Sequence, residues 1–460
     1  MAAPSPELAE ACARMVDARL GIIRRISDVP LQPGEPPLFI VAAHCTRPKY
    51  FLRNDSPAMT ATDYPVPANG IGLDREEALW RVLGEACERY CGGLYFDDDL
   101  ITASRAELGS QALPVEDLIA FSDAQYDRPG FPFVRFDPYA PIRWTRGWNL
   151  TTREPAYIPA VLVYLGYEAQ TVQEMFYPTL STGMAAGRTI QQALLNALYE
   201  VIERDAFTCT WLLRRPPGRL DLAPLKAGMS HQEWRLLSSQ CAEATALLVT
   251  TDIALPCVVT VLRPLNRRSL VIGAAAHASI RQAVIRATLE AFQTLNWTIL
   301  LERTPRTVTR ENVQEFEDHV RYYMDERNAA KAAWLLEGPL AETPSDLQTR
   351  RRRRCRRDAG NRDDALEHPS RAAQALTESR LKDAIALLKQ AGYQVYAVET
   401  TTTDVRSLGF RTVRVIVPGL QPLNMGYDTV HEDDRRLRRV AAWFGMEMPA
   451  ALNPEPHPFP

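Results

Sequence analysis

The chain has 460 residues, of which 46% are hydrophobic and 24% are charged, as in ordinary globular proteins. Its formal net charge of −3 gives no general reason to expect binding to nucleic acid or to a membrane surface. No segment approaches the ~20 apolar residues of a membrane-spanning helix, and the N-terminus lacks the uninterrupted apolar stretch of a secretory signal. We therefore expect a cytoplasmic protein.

The eight cysteines form no CxxC pair and no Cys/His group with zinc spacing, and nothing indicates an oxidising compartment. Cys87 and Cys91 lie four positions apart, on one face of a predicted helix. Two sulfurs make an incomplete metal site, so we interpret both as buried packing residues.

The first predicted element is an amphipathic helix that follows Ser5 and continues to about Ile23. We assign residues 1–35 to this N-terminal helix and residues 36–460 to one large domain. Runs rich in β-branched residues predict strands at 38–41, 157–164, 258–262, 270–272 and 413–417. Helical periods lie between them, so the sequence predicts an α+β fold of mixed or antiparallel sheets layered with helices.

A polar segment at residues 344–369 contains a run of arginines from Arg350 to Arg357, broken only by Cys355. Such a segment buries too little apolar surface to order itself, which predicts a disordered basic insertion; a phosphate or RNA contact is the alternative. A regular helix is predicted to follow at 370–389, with Gly392 as its stop.

Three windows of the sequence, 72–89, 187–204 and 277–294, repeat one pattern. In each, an alanine follows a helix-capping residue by four positions, a glutamate follows seven later, and Glu or Gln follows three later. The capping residues are Asp74, Thr189 and Ser279, the alanines are Ala78, Ala193 and Ala283, and the pairs are Glu85/Glu88, Glu200/Glu203 and Glu290/Gln293. The repeat predicts three units in which a strand or loop enters a helix.

The members of each pair share one face of an otherwise apolar helix, so the carboxylates need counter-charges. One solution is ion pairing with Arg89 and Arg204, each of which directly follows the second glutamate of its pair. The other is that the glutamates bind divalent cations while the arginines face phosphate. Mg²⁺ usually takes one or two carboxylates and completes its shell with phosphate oxygens and water. We favour this joint metal–nucleotide site.

At these residues the chain resembles the YcaO family, whose members bind ATP without a P-loop; no GxxxxGK[ST] is present. The matching stretches are 70–78 with 84–90, 181–187 with 200–205, 273–277 with 286–293, then 402–410, 414–422 and the proline-spaced tail 454–460. The similarity covers residues from about position 60 to the end of the chain. It implies a YcaO-type fold with internally repeated strand/loop–helix units and an ATP-binding catalytic domain.

The resemblance also implies a set of site residues. Its magnesium ligands are Glu85, Glu88, Glu200 and Glu203, and its contacts to nucleotide or phosphate are Ser181, Gln192, Arg204, Arg286 and Gln293. The family often has an acidic residue at position 192 and a basic one near Ile71, which leaves the phosphate contacts at both places open. His277 either joins the site or only caps its own loop.

The tail resembles that of the azoline-forming branch, which joins a Cys, Ser or Thr side chain of a peptide to the preceding carbonyl carbon. ATP converts the amide oxygen into a phosphate leaving group, while Mg²⁺ and Arg204 neutralise the developing charge. We expect the carboxylate of Pro460 to serve as a base at the end of a stiff, extended tail. The alternative is a disordered terminus.

Two other functions are compatible with the same residues. One is ATP-dependent formation of thioamides or amidines on a peptide, and the other is a non-catalytic ATP-binding scaffold. The expected partners are a ribosomally made precursor peptide, a leader-peptide-binding protein and an FMN-dependent azoline dehydrogenase. A homodimer or a multi-subunit complex is expected.

Overall fold

The computed structural model describes residues 4–31, 35–46, 66–165, 167–341 and 371–459. In these ranges it has thirteen α-helices: α1 (Pro6–Met15), α2 (Arg75–Gly92), α3 (Arg105–Leu108), α4 (Asp123–Tyr126), α5 (Ile190–Leu212), α6 (Ala223–Lys226), α7 (His231–Leu237), α8 (Ile280–Leu301), α9 (Phe316–Tyr322), α10 (Glu326–Lys331), α11 (Arg371–Gln390), α12 (Thr403–Ser407) and α13 (Arg435–Trp443). None of these helices is long and apolar enough to cross a membrane.

The same ranges contain thirteen strands. They are β1 (Ile23–Val29), β2 (Phe39–Cys45), β3 (Val66–Gly72), β4 (Ile101–Ala103), β5 (Ile142–Asn149), β6 (Glu154–Pro159), β7 (Met184–Gly187), β8 (Gly218–Arg219), β9 (Ala242–Leu248), β10 (Cys257–Pro264), β11 (Val271–Ala276), β12 (Tyr396–Glu399) and β13 (Arg411–Ile416).

The chain divides into two compact units, and the first comprises Met1–Val29, Phe39–Val201 and Asp363–Gly419. Its two sheets are antiparallel and have the strand orders β1-β2-β3 and β4-β5-β12-β13-β7, with β6 paired to β5. Helix α2 packs against β2, β3 and β7. Its apolar face, which includes Val82, Leu83 and Ala86, is buried in the core of this unit.

The second unit comprises Pro30–Leu38, Ile202–Arg362 and Leu420–Pro460. Its sheet is antiparallel with the order β11-β10-β9-β8, and α8 packs against β10 and β11. The boundary between the units falls inside α5, between Val201 and Ile202. These layered helices and antiparallel sheets confirm the predicted α+β class; the domain division near residue 35 stays a prediction.

Two predicted elements have different ends in the structure. Helix α1 ends at Met15 and Ile23 begins a strand, because the Asp17 carboxylate accepts hydrogen bonds from the amides of Arg19 and Leu20 and turns the chain between them. The strand predicted at 157–164 ends at Pro159, and a 3₁₀ turn covers Ala160–Leu162. The helix predicted at 370–389 is confirmed as α11, and Gly392 follows it with a φ of 85°. The arginine-rich segment 344–369 lies outside the described residues.

Candidate functional site

The threefold repeat is present as three strand-to-helix repeats: repeat 1 is β3–α2, repeat 2 is β7–α5 and repeat 3 is β11–α8. Strand and helix approach closely in each unit, and this explains the repeated small residues. A Cβ atom on Gly70 would lie 2.0 Å from the carbonyl oxygen of Ala78, and one on Gly273 would lie 2.2 Å from the amide nitrogen of Ala291. Larger side chains at these positions would push the helix away from its strand.

Two of the three predicted helix caps are confirmed. Asp74 Oδ1 accepts a hydrogen bond from the amide of Glu77 at 2.8 Å, and Thr189 Oγ1 accepts one from Gln192 at 3.2 Å. Ser279 is the N-cap residue of α8 as predicted, but its side chain makes no capping bond. Instead the Ser279 amide donates to Nδ1 of the buried His277 at 2.9 Å. His277 therefore orders the loop that leads into α8.

The first glutamate of every pair accepts a hydrogen bond from a backbone amide of its own unit. Glu85 accepts from Asn69 at 2.8 Å, Glu200 accepts from Gly183 at 3.1 Å, and Glu290 accepts from Ala274 at 2.6 Å. Charge-assisted bonds of this kind fix the rotamer of a carboxylate. The first glutamate thus ties each helix to the strand or turn that precedes it.

The second glutamate of the first two pairs bonds to the strand of the next strand-to-helix repeat along the chain. Glu88 of α2 accepts from the amide of Ala186 in β7 at 2.7 Å, and Glu203 of α5 accepts from Ala276 in β11 at 3.1 Å. Ala186 and Ala276 occupy the same position in their repeats, one residue before the window starts. The first glutamate of a pair therefore bonds within its own strand-to-helix repeat, and the second glutamate bonds to the strand of the next repeat.

Ion pairing with arginine accounts for only part of this arrangement. Arg89 Nη2 lies 3.3 Å from Glu85 Oε1, and Arg204 Nε lies 3.6 Å from Glu203 Oε1. Burial raises the pKa of Glu88 to about 8, and repulsion from Glu85 and Glu200 adds to the increase, against the opposing effects of the Ala186 amide and Arg89. The negative charge of Glu85, Glu88 and Glu200 is thus only partly compensated by arginine, and this favours binding of a cation.

The donor set fits magnesium bound together with phosphate. Across the described ranges, no three His, Cys, Asp or Glu side chains form a group that could hold a metal ion by themselves. Magnesium does not require such a group, since it usually takes one or two carboxylates and completes its shell with phosphate oxygens and water. Oxygen-only ligands that are already fixed by backbone amides are suited to this role.

The remaining predicted contacts lie on the same units. Ser181 is in the turn before β7, where its carbonyl accepts from the Met184 amide at 2.9 Å. Gln192 Oε1 accepts from the amide of Arg188 at 2.8 Å, so only its NH₂ group can donate to a ligand. Arg286 and Gln293 are half-buried on α8 and, seven residues apart, lie on one helix face.

Residues 456–459 of the proline-spaced tail are buried. Trp211 Nε1 donates to the carbonyl of Glu455 at 2.9 Å, and the ring of Phe459 is fully buried. The Arg204 guanidinium lies over that ring, 3.8 Å from its centroid. The alternative of a disordered terminus is therefore wrong for residues 454–459, whereas Pro460 lies outside the described residues.

Sequence reasoning missed a buried ion network around Asp205. Asp205 Oδ2 lies 2.6 Å from Arg436 Nη2, and its Oδ1 accepts from the Gln421 amide at 2.8 Å. Arg436 also pairs with Asp252 at 2.8 Å, and Arg439 pairs with Asp252 at 2.7 Å. The only signal was the position of Asp205, directly after Glu203 and Arg204 in the repeat.

Glu85, Glu88 and Glu200 form an acidic cluster whose charge is only partly compensated. Together with the fold, this cluster defines an α+β protein suited to magnesium and phosphate. A family model described as "YcaO cyclodehydratase, ATP- and Mg²⁺-binding" matches residues 69–421. The chain therefore belongs to the YcaO family. This membership confirms the predicted ligands ATP and Mg²⁺.

Individual proteins and solved structures are also similar to this chain. The chain is 26% identical over 374 residues to an uncharacterized protein of Methanothermobacter thermautotrophicus, covering 80% of this chain and 84% of that relative. The solved structure of a heterocyclase in complex with substrate and cofactor superimposes with a TM-score of 0.73 at 23% identity, over 99% of this chain and 57% of that one. The heterocyclase TruD gives a TM-score of 0.59 at 26% identity, over 82% of this chain and 50% of that one. The chain thus spans 57% and 50% of the two heterocyclases.

Proposed function

We propose that the protein is an ATP-dependent cyclodehydratase that converts Cys, Ser or Thr residues of a ribosomally made precursor peptide into azolines. The observation that carries the proposal is the ordered tail, whose Phe459 packs under Arg204, directly beside Glu203. The similarity to two solved heterocyclases supports it.

Each proposed residue has a role that follows from its chemistry. Glu85, Glu88, Glu200 and Glu203 hold Mg²⁺ with oxygens that backbone amides already orient, which reduces the reorganisation needed on binding. Ser181, Gln192, Arg286 and Gln293 contact the nucleotide or its phosphates. Bound ATP supplies the phosphoryl group that makes the amide oxygen a leaving group.

The catalytic residues proposed for ring closure are Arg204 and Pro460. The side-chain sulfur or oxygen of the substrate bonds to the preceding carbonyl carbon, and the Pro460 carboxylate accepts the proton that the nucleophile loses. The former amide oxygen leaves as phosphate, and Arg204 neutralises the charge that develops on it. The amide nitrogen loses its proton to solvent and forms the C=N bond of the ring. The balance is one water lost from the peptide per ring, with hydrolysis of one ATP.

Mass spectrometry of the product tests this reaction. The protein is combined with a short Cys/Ser/Thr-rich peptide and a candidate leader-binding protein, both chosen from its neighbouring genes, and the mass of the peptide is measured after reaction with ATP. We expect loss of one water per modified residue, and no conversion by Glu200→Gln. Replacement of oxygen by sulfur would instead establish thioamide formation. Normal conversion by Glu200→Gln would favour the scaffold.

The proposed role of the tail has its own test. Deletion of residues 458–460 is expected to abolish ring closure and to leave ATP binding intact, because the shortened chain keeps Arg204 and the backbone amides that orient the proposed magnesium ligands all lie outside the tail. Product formed at the normal rate by the shortened chain would refute a catalytic role for Pro460.

The proposed complex contains further components. A leader-binding protein recruits the precursor peptide, and an FMN-dependent dehydrogenase oxidises azolines to azoles. Co-purification with the tagged chain, followed by measurement of the mass of the complex, tests these partners and distinguishes a homodimer from a multi-subunit assembly.

A further inference from the structure

His319 of α9 lies between two backbone carbonyl groups. Its Nδ1 is 2.8 Å from the carbonyl oxygen of His457 in the tail, and its Nε2 is 2.7 Å from the carbonyl oxygen of Met425, in the loop after β13. Both distances are those of direct contacts, and the ring is fully buried. The His319 imidazole thus bridges the C-terminal tail and the loop that contains Met425.

The two contacts require more protons than a neutral ring carries. A neutral imidazole has one N–H donor and one bare nitrogen, whereas a carbonyl oxygen can only accept. Neutral His319 therefore bonds to one carbonyl and turns a lone pair towards the other at less than 3 Å. Only the imidazolium donates to both.

The neighbouring His457 does not share this conflict. Its Nε2 faces the carbonyl oxygen of Asn424 at 2.8 Å, and its Nδ1 accepts from the Phe459 amide at 3.3 Å. A neutral ring with its proton on Nε2 satisfies both contacts. The two rings stack with centroids 3.9 Å apart. Because the contacts of His457 are already satisfied, only His319 gains a hydrogen bond from a second proton.

The charged groups around the pair come from several elements. On α9, Asp318 accepts from the amides of Gln314 and Glu315 and pairs with Arg306. On the tail, Glu455 is bound by Tyr322 and Lys331. On α5, the charge of Arg204 acts on His457. The loop at Asn424 and Met425 contributes only carbonyl groups to these contacts.

The groups around His319 shift the pKa of its ring in opposite directions. Burial lowers the pKa of His319 below its ordinary value, and its bonds to the Met425 and His457 carbonyls and the charge of Asp318 offset only part of this effect. Burial, followed by the charges of His319 and Arg204, holds the pKa of His457 well below its usual range. Proton uptake by the pair is therefore expected on His319.

We propose that His319 is a positioning residue whose protonated form fixes the C-terminal tail, so that proton uptake by this ring sets how firmly the tail is held beside Arg204. The functional consequence rests on the proposed function, in which the end of the tail acts in ring closure. The bonding argument itself does not require that function.

Nitrogen NMR of the wild-type protein tests the protonation directly. With ¹⁵N-labelled histidine, the ring signals of His319 are assigned by their loss in His319→Gln and followed from about pH 8 to about pH 5.5. We expect both ring nitrogens of His319 to become protonated while the protein stays folded, and His457 to keep one bare nitrogen. A His319 ring that keeps a bare nitrogen throughout this range would overturn the proposal.

Hydrogen exchange of the tail tests the consequence. The ratio of exchange rates in His319→Gln and wild type is taken at each pH, which cancels the intrinsic pH dependence of exchange. We expect this ratio to rise by about tenfold from pH 8 to pH 5.5, because a bond is gained only on protonation. The matched control, His457→Gln, is expected to loosen the tail by a factor that does not vary with pH. A constant ratio for His319→Gln would also overturn the proposal.

These measurements need neither ATP nor peptide, so they separate the inference from the proposed function. If the exchange ratio varies with pH but the chain without residues 458–460 still forms azolines, the proton-dependent anchor stands and the catalytic role of the tail is refuted.

Discussion

Two groups of buried carboxylates include residues of α5, and they are neutralised to different extents. Asp205 and Asp252 share Arg436 at 2.6 and 2.8 Å, and Arg439 adds a second pair to Asp252. In the other group, burial and repulsion raise the pKa of Glu88 to about 8 although Arg89 is close by. A buried acid that is paired with arginine stabilises the scaffold, whereas acids that remain in mutual repulsion suit the proposed cation site.

The largest expected effect lies in the neutralised group and concerns stability. Asp205→Asn leaves Arg436 with an incomplete set of partners, and removal of one member of a buried pair costs about 3–5 kcal/mol. We expect a clear fall in the denaturant midpoint of the second unit, measured by urea titration. The control is Asp434→Asn, which breaks an exposed pair with Arg438 and is expected to cost less than about 1 kcal/mol. Equal midpoints for the two variants would contradict the comparison.

The next largest effect concerns the acidic cluster, where we expect a substitution to lower ligand affinity without lowering stability. Glu88→Gln replaces a carboxyl group whose charged form is disfavoured by burial and repulsion, so the midpoint is expected to stay constant or rise. The affinity for Mg·ATP is expected to fall by about 100-fold or more because a proposed ligand is lost. Isothermal titration measures the affinity. The matched control on the same helix is Glu77→Gln, whose side chain caps the Leu73 amide outside the cluster and whose loss of charge should leave binding unchanged. A destabilised Glu88→Gln with normal affinity would place Glu88 in the scaffold.

A third effect follows from the raised pKa of Glu88. Its ordinary value is 4.5 and the folded value is about 8, so the ligand-free protein holds an extra proton between these values and its stability falls as pH rises through that window. A carboxylate must lose this proton to bind metal. Mg·ATP affinity should therefore rise by up to about tenfold per pH unit and level off above about pH 8. Glu88→Gln should lack this component, and identical pH profiles for the two proteins would exclude Glu88 as a ligand.

The sequence predicted what is local and missed what is distant. The spacing of Glu85 and Glu88 and the cap at Asp74 predicted the strand-to-helix units, because helix periodicity and capping depend on residues a few positions apart. The Asp205–Arg436 pair joins residues 231 positions apart, and Arg436 belongs to an arginine-rich helix that gave no sign of burial. The amide partner of Glu88 lies 98 residues away, so only the fold shows it.

The smallest expected effect concerns Gln192, which has two possible roles. Its Oε1 caps the Arg188 amide, as Glu77 caps Leu73 in the first repeat, and its NH₂ group is the proposed phosphate contact. Gln192→Glu keeps the cap but replaces a donor with a charged acceptor. We expect an unchanged unfolding midpoint and an affinity for Mg·ATP that falls about fivefold, as for one lost hydrogen bond of about 1 kcal/mol. Unchanged affinity would show that Gln192 only caps α5, and the phosphate would then depend on Arg204, Arg286 and the metal.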